Sequence, residues 1–112
     1  MSQDKDVACL RHMLDHSHEA LALIKNKKRR DLDTDRVLSL ALVRLLEIVG
    51  EAANRVSENA KKQRPEIPWS QIISLRNRLI HGYDSVDLDI LWQILNEDVP
   101  SLIAKLQHTA EP

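Results

Sequence analysis

"LALVRLLEIVGEAANRV", residues 40–56, decides the fold. At 100° per residue, Ala41, Leu45, Ile48, Val49, Ala52, Ala53 and Val56 fill one broad arc of a helix. Leu40, Val43 and Leu46 widen that arc. Arg44, Glu47, Glu51 and Arg55 line the other side in alternating sign. So wide an apolar arc predicts a central helix that packs on more than one side. Asp33 or Thr34 can cap its first amides, and the pattern carries it to about Ala60.

The periodicity predicts three more helices around it. One runs from Ser2 to Lys25, with Leu10, Met13, Leu14, Leu21 and Ile24 at helical spacing. It ends in "KNKKRR", residues 25–30, and basic residues suit a last turn whose carbonyls are unsatisfied. After "QRPEIPW", residues 63–69, a further helix begins with Pro68 as its first residue and runs to His81. Gly82 then stands where a left-handed C′ residue belongs. Asp84 and Asp87 form an acidic N-terminal signature for the last helix. Its stripe is Leu88, Leu91, Trp92, Leu95, Val99, Leu102, Ile103 and Leu106. Pro100 falls on the far side and should kink this helix rather than end it. The expected architecture is all-α: an antiparallel, up-down-up-down four-helix bundle forming one domain over residues 1–112.

Composition agrees. Of 112 residues, 43% are hydrophobic and 29% charged, which suits a folded chain. Phe is absent, and Trp69, Tyr83 and Trp92 are the aromatic residues, so the core must be aliphatic. Two glycines and four prolines are too few turn residues for a many-stranded β fold. The net charge of −1 supplies no global field for nucleic acid, so RNA binding would need a local patch. Cys9 is the single cysteine, which excludes an intramolecular disulfide and a zinc–cysteine cluster. No apolar run approaches membrane-spanning length, and the N-terminus lacks a signal peptide's apolar core. A cytoplasmic location is expected.

One stretch breaks the pattern: "RNRLIHGY", residues 76–83. On a continuous helix Arg76 falls roughly 40° from Ile72, inside the arc of Leu75, Leu79 and Ile80, whereas Arg78 falls near ~240°, toward solvent. A guanidinium in an apolar arc is costly unless paired. Glu47 or Glu51 across the bundle could pair with it, and so could an exogenous phosphate. Tyr83 shares the Arg76 face, while His81 lies roughly 140° away, so Arg76 and His81 meet on one ligand only if the backbone turns or a second protomer contributes. A structural account also fits: a basic residue complements the helix dipole, Gly82 caps the helix and Tyr83 packs on the bundle.

Arg76, Asn77 and His81 resemble the signature of the HEPN superfamily, and Arg-x4-His-x-Tyr, here Arg76, His81 and Tyr83, is similar to the HepT toxins. "GEAA" at 50–53, Pro68-Trp69 and "LW…DVP" from Leu91 to Pro100 are similar to that family too. The resemblance implies a metal-independent endoribonuclease without a cofactor. It implies a homodimer whose motifs face one another, and a nucleotidyltransferase antitoxin able to transfer AMP to Tyr83. Arg76 and His81 would be catalytic, with Asn77 assisting. The chemistry is consistent with this. RNA carries its own nucleophile, the 2′-hydroxyl, so proton transfer and charge neutralisation at phosphate are what a site must add. An imidazole can do the first and a guanidinium the second.

Other features carry less. Lys27, Lys28, Arg29 and Arg30 could track an RNA backbone, although a solvated loop fits them as well. His12, His16 and Glu19 have helical metal-ligand spacing without a supporting cluster, and read as surface polar residues. Trp69 and Trp92 read as core anchors. There is no Gly-rich phosphate loop, and no Gly-Ser with paired aspartates of the kind a nucleotidyltransferase needs, so this chain would be the target of AMP transfer, not its agent. A reading of another class remains: a non-catalytic helical module that binds a nucleotidyltransferase or a nucleotide through the same pocket.

Overall fold

The computed structural model describes residues 2–83 and 85–110. Among these the chain is mostly helical, with one isolated antiparallel bridge, Ile80 to Val86, and no strand. The helices are α1 (Ser2–Ile24), α2 (Asp31–Thr34), α3 (Arg36–Arg55), α4 (Glu58–Lys62), α5 (Trp69–Ile73), α6 (Leu75–Leu79) and α7 (Leu88–Gln93). A π-helical turn, Ile94–Asp98, joins α7 to α8 (Val99–Ala110). Every apolar segment expected from periodicity is helical, but three of the four are interrupted, each for an identifiable reason.

The central segment is α3, which packs against α1, α5 and α6. Leu42, Leu46, Val49 and Ala53 are fully buried along it. Its cap is Asp35, not Asp33 or Thr34: the Asp35 carboxylate accepts from Leu38 N–H at 3.0 Å, while Asp31–Thr34 forms its own turn. Leu40, expected in the arc, is 54% exposed. The helix stops at Arg55 rather than near Ala60 because Ser57 is taken by three other bonds. Its Oγ caps α4, accepting from Ala60 N–H at 3.2 Å. Its N–H and hydroxyl both donate to the Asp6 carboxylate of α1, at 2.8 and 2.7 Å. Those bonds hold the Asp6 carboxyl below the usual carboxylate range, the backbone bond contributing most.

The segment expected from Pro68 to His81 breaks at Ser74 and ends at Leu79. Pro68 precedes α5 as its cap residue instead of opening it. The Ser74 hydroxyl donates back to the Ser70 carbonyl at 2.8 Å, a local bond that bends helices. α3 also presses on this point. A Cβ on Gly50 would lie 2.9 Å from the Ile72 carbonyl oxygen, so only glycine admits the approach. Past Leu79 the chain is extended at Ile80, and the bridge to Val86 closes a turn. His81 N–H donates to the Ser85 carbonyl at 2.7 Å, and Asp87 N–H to Leu79 at 2.9 Å. Gly82 has φ +84°, as expected, but it serves this turn rather than a helix C-cap. Asp84, part of the expected acidic signature, lies outside the described residues. Asp87 fulfils its part by accepting from Ile90 N–H at 3.0 Å.

The last segment absorbs Pro100 through the π turn. Proline offers no N–H to the Asn96 carbonyl, and its ring crowds that group. One extra residue in the preceding turn relieves both effects, and the Asn96 side-chain amide donates to the Trp92 carbonyl at 2.8 Å. The inserted residue also shifts the apolar stripe. Ile94, which the simple periodicity leaves out, is fully buried beside Leu91 and Leu95. Trp69 and Trp92 pack half-buried on the core, as expected, and the Trp69 indole donates to the Arg64 carbonyl at 3.1 Å.

Candidate active site

Leu75 and Leu79 are buried and fix α6 to the core. The motif residues project from that anchor. Arg76, Asn77, His81 and Tyr83 are all exposed. Arg76 is not inside an apolar arc: its side chain is 69% exposed, with Nε 3.4 Å from a carboxylate oxygen of Glu47, which is 21% exposed. Arg78 is the more enclosed of the two, half-buried and donating from Nη1 to Asp98 at 2.8 Å. The expected orientations are therefore reversed. The wheel that placed them assumed one helix from Ile72 to Tyr83, and the break at Ser74 resets its phase. His81 and Tyr83 lie beyond the helix altogether, on the turn closed by the Ile80–Val86 bridge. The backbone does turn after Arg76, as a shared ligand for Arg76 and His81 would require.

Two depressions flank the motif. One, of about 180 Å³, is lined by Glu47, Gly50, Glu51, Asn54, Ile73 and Arg76. Glu51 there also meets Arg44 at 3.4 Å. Tyr83 lines the other, of about 500 Å³, with Arg36 and Leu40 of α3. Tyr83 and Arg76 thus do not share a face, and the arginine sharing a cavity with the phenol is Arg36. The sequence reading missed Arg36. A signal was present, since Arg36, Ser39, Leu40 and Val43 recur at helical spacing as a second stripe on α3.

Among the basic residues before α2, Arg29 is committed. It donates to Asp89 at 2.8 Å and to Asp33 at 3.0 Å, and the Asp89 bond is the larger cause of its raised pKa. Lys27, Lys28 and Arg30 remain exposed. His12 and His16 meet edge to face at 6.1 Å, and the His16 ring bonds the His12 carbonyl at 2.7 Å.

This arrangement can bind and neutralise an anion. A guanidinium held loosely at the surface can exchange its carboxylate for phosphate oxygens, and an exposed imidazole nearby in the chain can move protons. The model of the family described as ribonuclease HepT-like matches residues 13–109. The chain belongs to the HepT-like ribonuclease family. The probable ribonuclease HepT of Thermococcus cleftensis is 39% identical over 93 residues, covering 80% of this chain and 84% of that protein. A Methanocaldococcus jannaschii protein named as a candidate RNase is 31% identical over 102 residues, covering 91% and 94%. Another, from Caldanaerobacter subterraneus subsp. tengcongensis, is 32% identical over 93 residues, covering 83% of each chain. No solved structure matches this HepT-like chain. Among its described residues, no helix is long and apolar enough to cross a membrane.

Proposed function

We propose that this HepT-like chain is a metal-independent endoribonuclease, the toxin of a toxin–antitoxin pair acting in the cytoplasm. It works as one four-helix-bundle domain per protomer, in a homodimer that brings two motifs together. The observation that carries the reading is the state of Arg76: a guanidinium on α6, open to solvent, held among the described residues only by a 3.4 Å contact to Glu47. A contact this long, with the guanidinium mostly in water, contributes little and yields readily to a phosphate.

In the proposed reaction Arg76, with Asn77 beside it, holds the scissile phosphate. His81 of one protomer takes the proton of the ribose 2′-hydroxyl. The 2′-oxygen bonds to phosphorus, the bond to the 5′-oxygen breaks, and His81 of the partner subunit gives that oxygen its proton. The products are a 2′,3′-cyclic phosphate and a 5′-hydroxyl. The RNA supplies the nucleophile, so metal-bound water has no necessary role.

A nucleotidyltransferase antitoxin completes the proposal. The Tyr83 side chain is fully exposed, at 103%, so its phenol is accessible to a modifying enzyme. Its oxygen would bond to the α-phosphorus of a nucleoside triphosphate and release pyrophosphate. The resulting AMP ester places a bulky anion two residues from His81. Mass analysis of protein made with its partner should find the adduct on Tyr83, and an adduct confined to another residue rejects this step.

The test of the main reading is cleavage of RNA by the purified protein in excess EDTA. Cutting should survive chelation and be lost in both Arg76→Ala and His81→Ala. If RNA stays intact while a nucleotidyltransferase binds tightly and those substitutions leave binding unchanged, the chain is a binding module and not an enzyme.

A further inference from the structure

The cavity of about 500 Å³ under Tyr83 has a composition that the chemistry at Arg76 and His81 does not use. Its floor is aliphatic: Leu40 and Val43 from α3, with Ile80, Val86 and Leu88 from the turn and the start of α7. Tyr83, Arg36 and Asp33 also line it, and all three are exposed. Arg29, Arg44, Arg76 and Arg78 each have a carboxylate within salt-bridge distance, but among the described residues Arg36 has none. The Ser39 hydroxyl donates to the Leu32 carbonyl at 2.8 Å, which leaves its lone pairs free to accept.

We infer that this cavity is a nucleotide subsite: it seats one unpaired nucleotide of the RNA, with the base on the aliphatic floor against the Tyr83 ring and a phosphate on Arg36. A base is flat and apolar on its faces, with donors at its edge that Ser39 can accept. A cation with no carboxylate partner among the described residues, beside an apolar floor, complements the phosphate that every nucleotide carries. The volume lies within the range of small-ligand sites, ~300–1,000 Å³. Asp33, the acid in this lining, is already engaged by Arg29 at 3.0 Å. The turn that lines the cavity also carries His81, one residue from Ile80 and two from Tyr83. The inference rests on the ribonuclease reading for its substrate, but binding can be measured without cleavage.

The experiment titrates 5′-mononucleotides, and separately inorganic phosphate, into the full chain labelled at its methyl groups. Mononucleotides should shift the methyl signals of Leu40, Val43 and Val86, whereas phosphate alone should leave them in place. Arg36→Ala and Leu40→Gln, both at exposed positions, should weaken mononucleotide binding by about 10-fold, comparable to losing one stacked base. In RNA cleavage they should raise KM by a similar factor, leave kcat nearly unchanged and alter which nucleotide is preferred at the cut. Methyl signals that ignore mononucleotides and move only with protein concentration overturn the inference, because a second copy then covers the cavity. Nucleotide binding without RNA cleavage leaves the subsite standing and sinks the ribonuclease reading. Cleavage with KM and preference unchanged in both variants does the reverse.

Discussion

Arg76 and Arg78 sit two residues apart on α6, yet the regions around them differ in kind. Arg78 faces the π turn, where Asp98 receives it at 2.8 Å and both groups are half-buried. Arg76 faces α3, where Glu47 reaches it at 3.4 Å and most of the guanidinium meets water. The first contact joins α6 to the π turn that leads into α8. The second leaves a cation available at small cost. A structural arginine and a candidate catalytic one are therefore told apart by how well each is already satisfied, not by residue type or spacing.

Substitution at the two sites should break the comparison if it is wrong. Arg76→Ala should reduce RNA cleavage by roughly 10²–10⁴-fold, within the range for removing a group that acts in the transition state, with melting nearly unchanged. Arg78→Ala should do the opposite: cleavage stays within a few-fold, and stability falls by about 0.5–1 kcal/mol, a figure discounted for its partial exposure. Matched kinetics and thermal melts of the two variants check this, and equal losses of activity would remove the distinction.

Gly50 sets how closely α3 approaches the Ser74 break, and so where Glu47 stands. Gly50→Ala places a Cβ 2.9 Å from a backbone oxygen, which cannot swing aside as a side chain can. A loss of about 1–3 kcal/mol is expected, read by denaturant melts. If the helices part to relieve it, the Glu47–Arg76 contact lengthens as well.

A third carboxylate sharpens the contrast. Asp6 is bonded closely, like Asp98, and its pKa is lowered, first by the Ser57 N–H and then by the Ser57 hydroxyl. A carboxyl depressed in the folded state contributes stability in full above its unfolded pKa, about 3.9, and loses it as pH falls through the folded value. Melting temperature should therefore drop below about pH 4, and Asp6→Asn should flatten that part of the profile. An unchanged slope would mean that the clamp between α1 and α4 contributes nothing.

The smallest effect is expected at Glu47. Glu47→Gln should change stability by about 0–0.5 kcal/mol, since the contact it breaks is long, at 3.4 Å, and its guanidinium is largely exposed. It should also tighten binding of a non-cleavable RNA slightly by freeing Arg76, and weaker binding would mean that Glu47 instead holds the guanidinium in place for substrate.

Much of the architecture was legible in the chain. Leucine, isoleucine, valine and alanine at helical spacing specified which segments are helical, because burying an apolar face depends on period alone. Asp87 as a cap and Gly82 as a left-handed residue were legible for the same reason: each follows from a local backbone requirement. The motif was legible as a set of residue types, and the family match over residues 13–109 agrees with the resemblance. The orientation of the motif was not. A helical wheel carries its phase across every residue, and Ser57, Ser74 and Pro100 each reset it through bonds or clashes that a one-dimensional pattern does not contain. Where Arg76 points, that Arg36 and Tyr83 share a cavity, and that Ile94 joins the core were decided only when α3 met α5 at Gly50 and the last helix took up its π turn. Those are contacts between segments distant in sequence, and only packing in three dimensions sets them.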